Sequence, residues 1–93
     1  MTDEAAIPAL AAGVKFRFDA VRQAWVVLAP ERLFLPDEQA VAILTLVDGV
    51  RTLGAIIDDL AVSFDAPRAV IAGDVTTMLR DLAEKGVLRW AVL

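Results

Sequence analysis

Catalysis and metal binding need side chains that attack, shuttle protons or coordinate, and this chain holds few of them. Its 93 residues include no His, no Cys and no Tyr, and the single Ser is Ser63. Without Cys and His there is no thiolate nucleophile, no His-activated triad and no ordinary zinc site. Carboxylates, Lys15 and Lys85 are what is left. Asp58 and Asp59 are adjacent, and neighbours on a helix point about 100° apart, so they do not converge on one atom and read as a solvated face. Asp37 and Glu38 stand just ahead of an apolar helical pattern, where capping and the helix dipole account for both. Asp81 and Lys85 are spaced i, i+4, as in an ordinary surface ion pair. These residues make no catalytic constellation, so neither an enzyme nor a bound cofactor or metal is expected.

Recognition is the other chemistry open to such a chain. Trp25, Phe34 and Trp90 are the aromatic candidates. Core packing is the expected role of Trp25 and Trp90, whereas Phe34 sits beside Arg32, and that pair of residue types favours recognition surfaces. Gly73 falls inside a helical pattern, opposite the apolar stripe. It either admits another backbone or is a tolerated surface glycine, and Ala69, Ala72 and Thr76 keep the same side small. The net charge of −4 opposes a nucleic-acid partner, which would require a basic patch.

These residues must be positioned by one small domain. Apolar residues make up 58% of the chain, enough to exclude disorder. The longest apolar runs, Ala24–Ala29 and Ala40–Val47, are far shorter than the roughly 20 residues of a membrane span. The start, Met1-Thr2-Asp3-Glu4, is acidic where a secretory signal is basic, so a cytoplasmic protein is expected.

Residues 1–13 read as a flexible arm docking through Ile7 and Leu10, and residues 14–93 as the folded domain. Val14–Phe18 alternates as a half-buried strand, with Val14, Phe16 and Phe18 on one face. Gln23–Ala29 is apolar on both faces, as a central strand is. Glu31–Leu35, bounded by Pro30 and Pro36, reads as a short edge strand.

Three helices follow. The first is capped by Asp37 and carries Ala40, Ile43, Leu44 and Val47 on one face. The second is capped by Thr52 and buries Leu53, Ile56, Ile57, Leu60 and Phe64. The third opens at Pro67, turns Ile71, Val75, Met78, Leu79 and Leu82 inward and stops at Gly86. Val87–Leu93 reads as a last strand. The sum is an α+β, winged-helix-like fold. DNA binding is nevertheless not expected, because the third helix carries as many acids as bases and too little chain follows it for a two-stranded wing.

The run Trp25-Val26-Val27-Leu28-Ala29-Pro30-Glu31-Arg32, followed by Ile43-Leu44 and Asp48-Gly49-Val50-Arg51-Thr52-Leu53, resembles the PqqD family. Ile56-Ile57, Leu60, Asp74-Val75, Leu79, Leu82 and Gly86 extend the resemblance from about Val14 to Leu88. It implies a peptide chaperone of pyrroloquinoline quinone (PQQ) biosynthesis. Such a protein binds the ribosomal precursor peptide PqqA and presents it to the radical S-adenosylmethionine enzyme PqqE, which joins a Glu to a Tyr of the peptide. The fold it implies is a three-stranded antiparallel sheet on three helices, a recognition element for ribosomal peptide precursors. The leader of the peptide is then added as a strand between the third strand and the third helix.

On this resemblance, Arg32, Leu33, Phe34 and Leu35 are expected to offer the edge, with backbone groups giving affinity. Arg68, Ile71, Ala72, Val75 and Leu79 are expected to give side-chain specificity, with Ile71 and Val75 shared between core and groove. Arg32 and Arg68 are candidates for meeting acidic leader side chains. The competing expectation is a self-associating winged-helix structural or regulatory protein, and a monomer and a strand-exchanged homodimer are both compatible with an open edge.

Overall fold

The structure, a computed structural model, describes residues 4–91. Chain order is β1 (Ile7–Leu10), β2 (Lys15–Asp19), β3 (Ala24–Ala29), β4 (Arg32–Phe34), α1 (Glu38–Thr45), α2 (Leu53–Ser63), α3 (Arg68–Glu84) and β5 (Leu88–Ala91). The central sheet is antiparallel with order β2-β3-β4, and β1 and β5 form a separate two-stranded antiparallel pair. The expected α+β architecture of three strands on three helices is therefore present, with the β1–β5 ladder added to it.

Turn chemistry sets both hairpins. Between β2 and β3, the Asp19 carboxylate accepts the N–H groups of Val21 and Arg22, and Gln23 adopts a left-handed φ of 55°. Between β3 and β4, Pro30 fixes its own φ and Glu31 takes a φ of 63°, a pattern that closes the chain in two residues. The β3 strand is central, as its composition predicts, and Val26 and Val27 are both buried although they face opposite ways. Phe18 departs from the expected buried face: it lies on the exposed end of the hairpin, edge-on to Trp25. Trp25 is exposed too and stacks on Phe16 at 4.8 Å between ring centroids.

The helix starts follow the sequence. The Asp37 side chain accepts from Ala40 N–H at 2.8 Å, and Thr52 accepts from Ala55 N–H at 3.1 Å. At the end of α3, Val87 N–H bonds to Leu82 C=O and Gly86 N–H to Ala83 C=O. Gly86 supplies the positive φ of 78° that this paired C-terminal stop needs. The reversal drives Val87 into the interior, where it meets Val14, Val27 and Leu44. A second cluster joins the helices to β5 through Leu53, Ile56, Ile57, Ile71, Val75, Leu79 and Leu88, with Trp90 packed against it.

Residues 1–3 of the arm expected over residues 1–13 lie outside the described residues, and residues 4–13 depart from loose docking. Ile7–Leu10 is a strand in register with Ala91–Leu88, and the buried residues are Ala6 and Pro8, with Ile7 and Leu10 only partly covered. The first N–H groups of α2 have no partners within their own helix. Leu53 donates to Ala6 C=O at 2.8 Å and Gly54 to Glu4 C=O at 2.9 Å, so this segment satisfies them. Gly54 permits the approach: a Cβ there would lie 3.1 Å from a Glu4 carboxylate oxygen.

Candidate functional site

The open side of β4 is the starting point. This strand pairs with β3 through Val27↔Phe34, Leu28↔Leu33 and Ala29↔Arg32, and with no other described strand. Residues directly opposite in a ladder share a face, so Arg32 and Phe34 lie on the side of Val27, towards the helices, while Leu33 lies with Leu28 on the other. Between β4 and α3 runs a groove of about 740 Å³. Val27, Phe34, Leu35 and Pro36 form its sheet side, Ala40, Ile43 and Leu44 of α1 its floor, and Asp74, Thr77, Met78, Asp81, Leu82 and Lys85 its α3 wall.

Arg32 closes one end. Its guanidinium donates through Nη2 to the main-chain carbonyl of Lys85, the C-cap of α3, and lies 5.2 Å from the centre of the Phe34 ring. A cation at a helix C-terminus meets the negative end of the dipole and a carbonyl that has no partner within the helix. Lys85 Nζ is itself paired with Asp81 at 2.7 Å. The far end, at the start of α1, is acidic: Asp37 and Asp74 line it, and neither forms an ion pair among the described residues.

Of the edge residues expected from the sequence, Phe34 and Leu35 line the groove, Arg32 bridges its end, and Leu33 is exposed on the outer face. None of the expected α3 residues lines this groove. Arg68 is held by Glu4 on one side and Asp58 on the other, each at 2.6 Å. Those bonds, Glu4 first, keep its guanidinium further above its already high protonation range. Asp58, read as a solvated acid, thus has an ion-pair partner. Leu79 is 0% exposed and belongs to the helical core, and Ala72 packs against that core. Ile71 and Val75 are core residues that also line a smaller cavity of about 300 Å³ between the three helices.

Asp74, Thr77, Asp81 and Lys85 form the α3 wall, and the sequence alone does not mark them as site residues. Polar residues on one side of an amphipathic helix look alike whether they face solvent or a cleft. Met78 and Leu82 pack against both core clusters and also line the groove, so their place in the apolar stripe marks burial and not the cleft. Gly73 is exposed and open, and among the described residues nothing lies within 4 Å of where a Cβ would stand, so none of their backbone approaches it.

A strand edge with no partner among the described residues, set beside a groove, is the geometry onto which an extended peptide can be added as a further strand. Residues 24–88 match the family described as Coenzyme PQQ synthesis protein D (PqqD). A PqqA binding protein of Rhodopseudomonas palustris (strain BisB5) is 56% identical over 85 residues, 91% of this chain and 83% of that protein. The solution NMR structure of the PqqD truncation of Methylobacterium extorquens PqqCD, a stand-alone recognition element for ribosomally synthesized and post-translationally modified peptides, has a TM-score of 0.74. It is 48% identical, with 89% of this chain and 88% of that one covered. The crystal structure of PqqD from Xanthomonas campestris has a TM-score of 0.60 at 37% identity, covering 96% of this chain and 99% of that one. The chain belongs to the PqqD family. No helix among the described residues is long and apolar enough to cross a membrane.

Proposed function

We propose that this protein binds the precursor peptide PqqA as an added β-strand on β4 and presents it to the radical S-adenosylmethionine enzyme PqqE in PQQ biosynthesis. The observation that carries the reading is that, among the described residues, β4 is paired on one side alone and opens on the other to the groove. The two-residue Pro30-Glu31 turn makes Ala29 and Arg32 the hydrogen-bonded pair nearest the turn. Alternation along the ladder then directs the N–H and C=O of Leu33 to the free edge. Backbone pairing there gives affinity, and Phe34, Met78 and Leu82 offer apolar contacts to alternate side chains of the guest strand. The role is that of a carrier: the protein holds the peptide, and the chemistry belongs to the enzyme that receives it.

A titration of the isotope-labelled protein with PqqA tests this. Amide signals of Arg32–Phe34 and of Asp74–Lys85 are expected to shift together. Leu33→Pro, which removes the outward N–H and leaves the β3 side of the strand intact, is expected to weaken binding at least about tenfold. Unmoved signals along β4, or full affinity in a folded Leu33→Pro variant, would overturn strand addition.

A further inference from the structure

We propose that the smaller cavity between the three helices is a second subsite for the same peptide, taking one bulky apolar side chain with a cationic residue beside it. The inference rests on the peptide-binding reading above and extends it beyond the strand edge. The cavity is lined by Ile43, Leu60, Ile71, Val75 and the exposed ring of Phe64, with Glu38, Gln39 and Asp74 completing it.

Two observations assign the occupant. The first is continuity. Gln39, Ile43 and Asp74 line both the groove and this cavity, so one cleft runs along α3 from Lys85 to Ile71. That stretch of helix rises about 21 Å at 1.5 Å per residue. An extended chain covers the distance in about six residues. The paired strand β4 is only three residues long, so about half of a guest lying along α3 passes beyond it, beside the start of α1 and over the cavity.

The second is charge. The lining residues of the cavity include Glu38 and Asp74 and no Lys or Arg, and neither acid has an ion-pair partner among the described residues. At the opposite end Lys85 is neutralised by Asp81 at 2.7 Å, and Arg32 supplies the cation there. The cleft therefore has polarity: a guest with its apolar anchor and a Lys or Arg towards α1 is matched, and one with acids there is repelled. An apolar cavity with a few convergent polar groups at its mouth is the usual form of a side-chain or small-ligand pocket.

The test is a titration of methyl-labelled protein with PqqA. The methyl groups of Leu60 and Ile71 are expected to shift in step with that of Leu82 in the groove. Phe64→Ala removes an exposed wall of the cavity and is expected to weaken PqqA binding at least about fivefold while the Leu82 and β4 signals still move at higher peptide concentration. Asp74→Asn is expected to flatten the salt dependence of the affinity. Static Leu60 and Ile71 methyls with a moving Leu82 would overturn the second subsite and leave strand addition standing. Static signals at both places would remove the peptide-binding reading itself. An unchanged salt dependence in Asp74→Asn would overturn the cationic part of the assignment.

Discussion

Arg32, on the edge strand, donates its guanidinium to the backbone carbonyl of Lys85 at the C-cap of α3, joining the two walls of the groove across 53 residues of sequence. The sequence offered Arg32 as a contact for acidic side chains of a guest peptide. That guanidinium is already engaged, with the carbonyl on one side and the Phe34 ring 5.2 Å away. The contact ties the edge strand to the C-terminus of α3.

Replacing Arg32 by Met keeps much of the apolar stem and removes the bridge. The expected result is a loss of about tenfold in PqqA affinity, equivalent to about 1.4 kcal/mol. Faster amide exchange is expected at Gly86 and Val87, whose bonds end α3. Arg32→Glu is expected to cost more, because it sets a carboxylate against the negative end of the helix dipole. Calorimetric titration and hydrogen exchange read the two effects separately.

Leu79 separates packing from recognition. It has no exposed surface and sits in the core shared by α2, α3 and β5. Leu79→Ala is expected to destabilise the fold by about 2–5 kcal/mol. PqqA affinity, measured well below the melting transition, is expected to stay unchanged, because the side chain does not line the groove.

Gly73 tests the opposite case. Nothing lies within 4 Å of a side-chain carbon placed there, and its φ is not in the left-handed region. Gly73→Ala is expected to stabilise the protein by about 0.8–1.0 kcal/mol through helix propensity alone. Urea unfolding reads the gain, and an unaltered PqqA affinity would show that this face of α3 stays clear of the peptide.

Acid sensitivity follows from two turn carboxylates. The N–H and guanidinium of Arg22 and the N–H of Val21 hold the Asp19 carboxyl below its ordinary range. The N–H groups of Arg51 and Val50, with the charge of Arg51, do the same for Asp48. A carboxyl depressed in the folded state adds stability that is complete above its unfolded value, near pH 4, and is lost as pH falls through the folded value. Urea midpoints are therefore expected to fall between pH 5 and pH 3. The fall is expected to be shallower in the Asp19→Asn, Asp48→Asn double variant.

Local pattern made most of the fold legible. Asp37 and Thr52 cap the helices that their spacing from the apolar stripes predicts, and Gly86 stops α3 because only a left-handed residue completes that turn. Pro30 and Pro36 bound the edge strand for a reason visible in sequence, since neither can donate to a ladder. The pairing of Ile7–Leu10 with Leu88–Ala91 was not legible, because it joins the two ends of the chain and leaves no local period. The groove was legible on its strand side, where Phe34 and Leu35 line it. On α3 the wall lies one arc away from the expected residues, at Asp74, Thr77 and Asp81, because periodicity marks which face is buried and does not tell a cleft from open solvent. Arg68 shows the same limit for charge: its partners, Glu4 and Asp58, come from elements that tertiary packing brings together.

The ladder between Ile7–Leu10 and Leu88–Ala91 brings the polypeptide nearly full circle, with Ile7 directly opposite Ala91. A short Gly/Ser tether could join those ends, and fresh termini cut in the exposed Ala20–Gln23 turn would give a circular permutant with an undisturbed cleft. Ile7 and Ala91 thus leave the ladder from one shared corner, so a joint made there would change the order of the elements while leaving their packing in place.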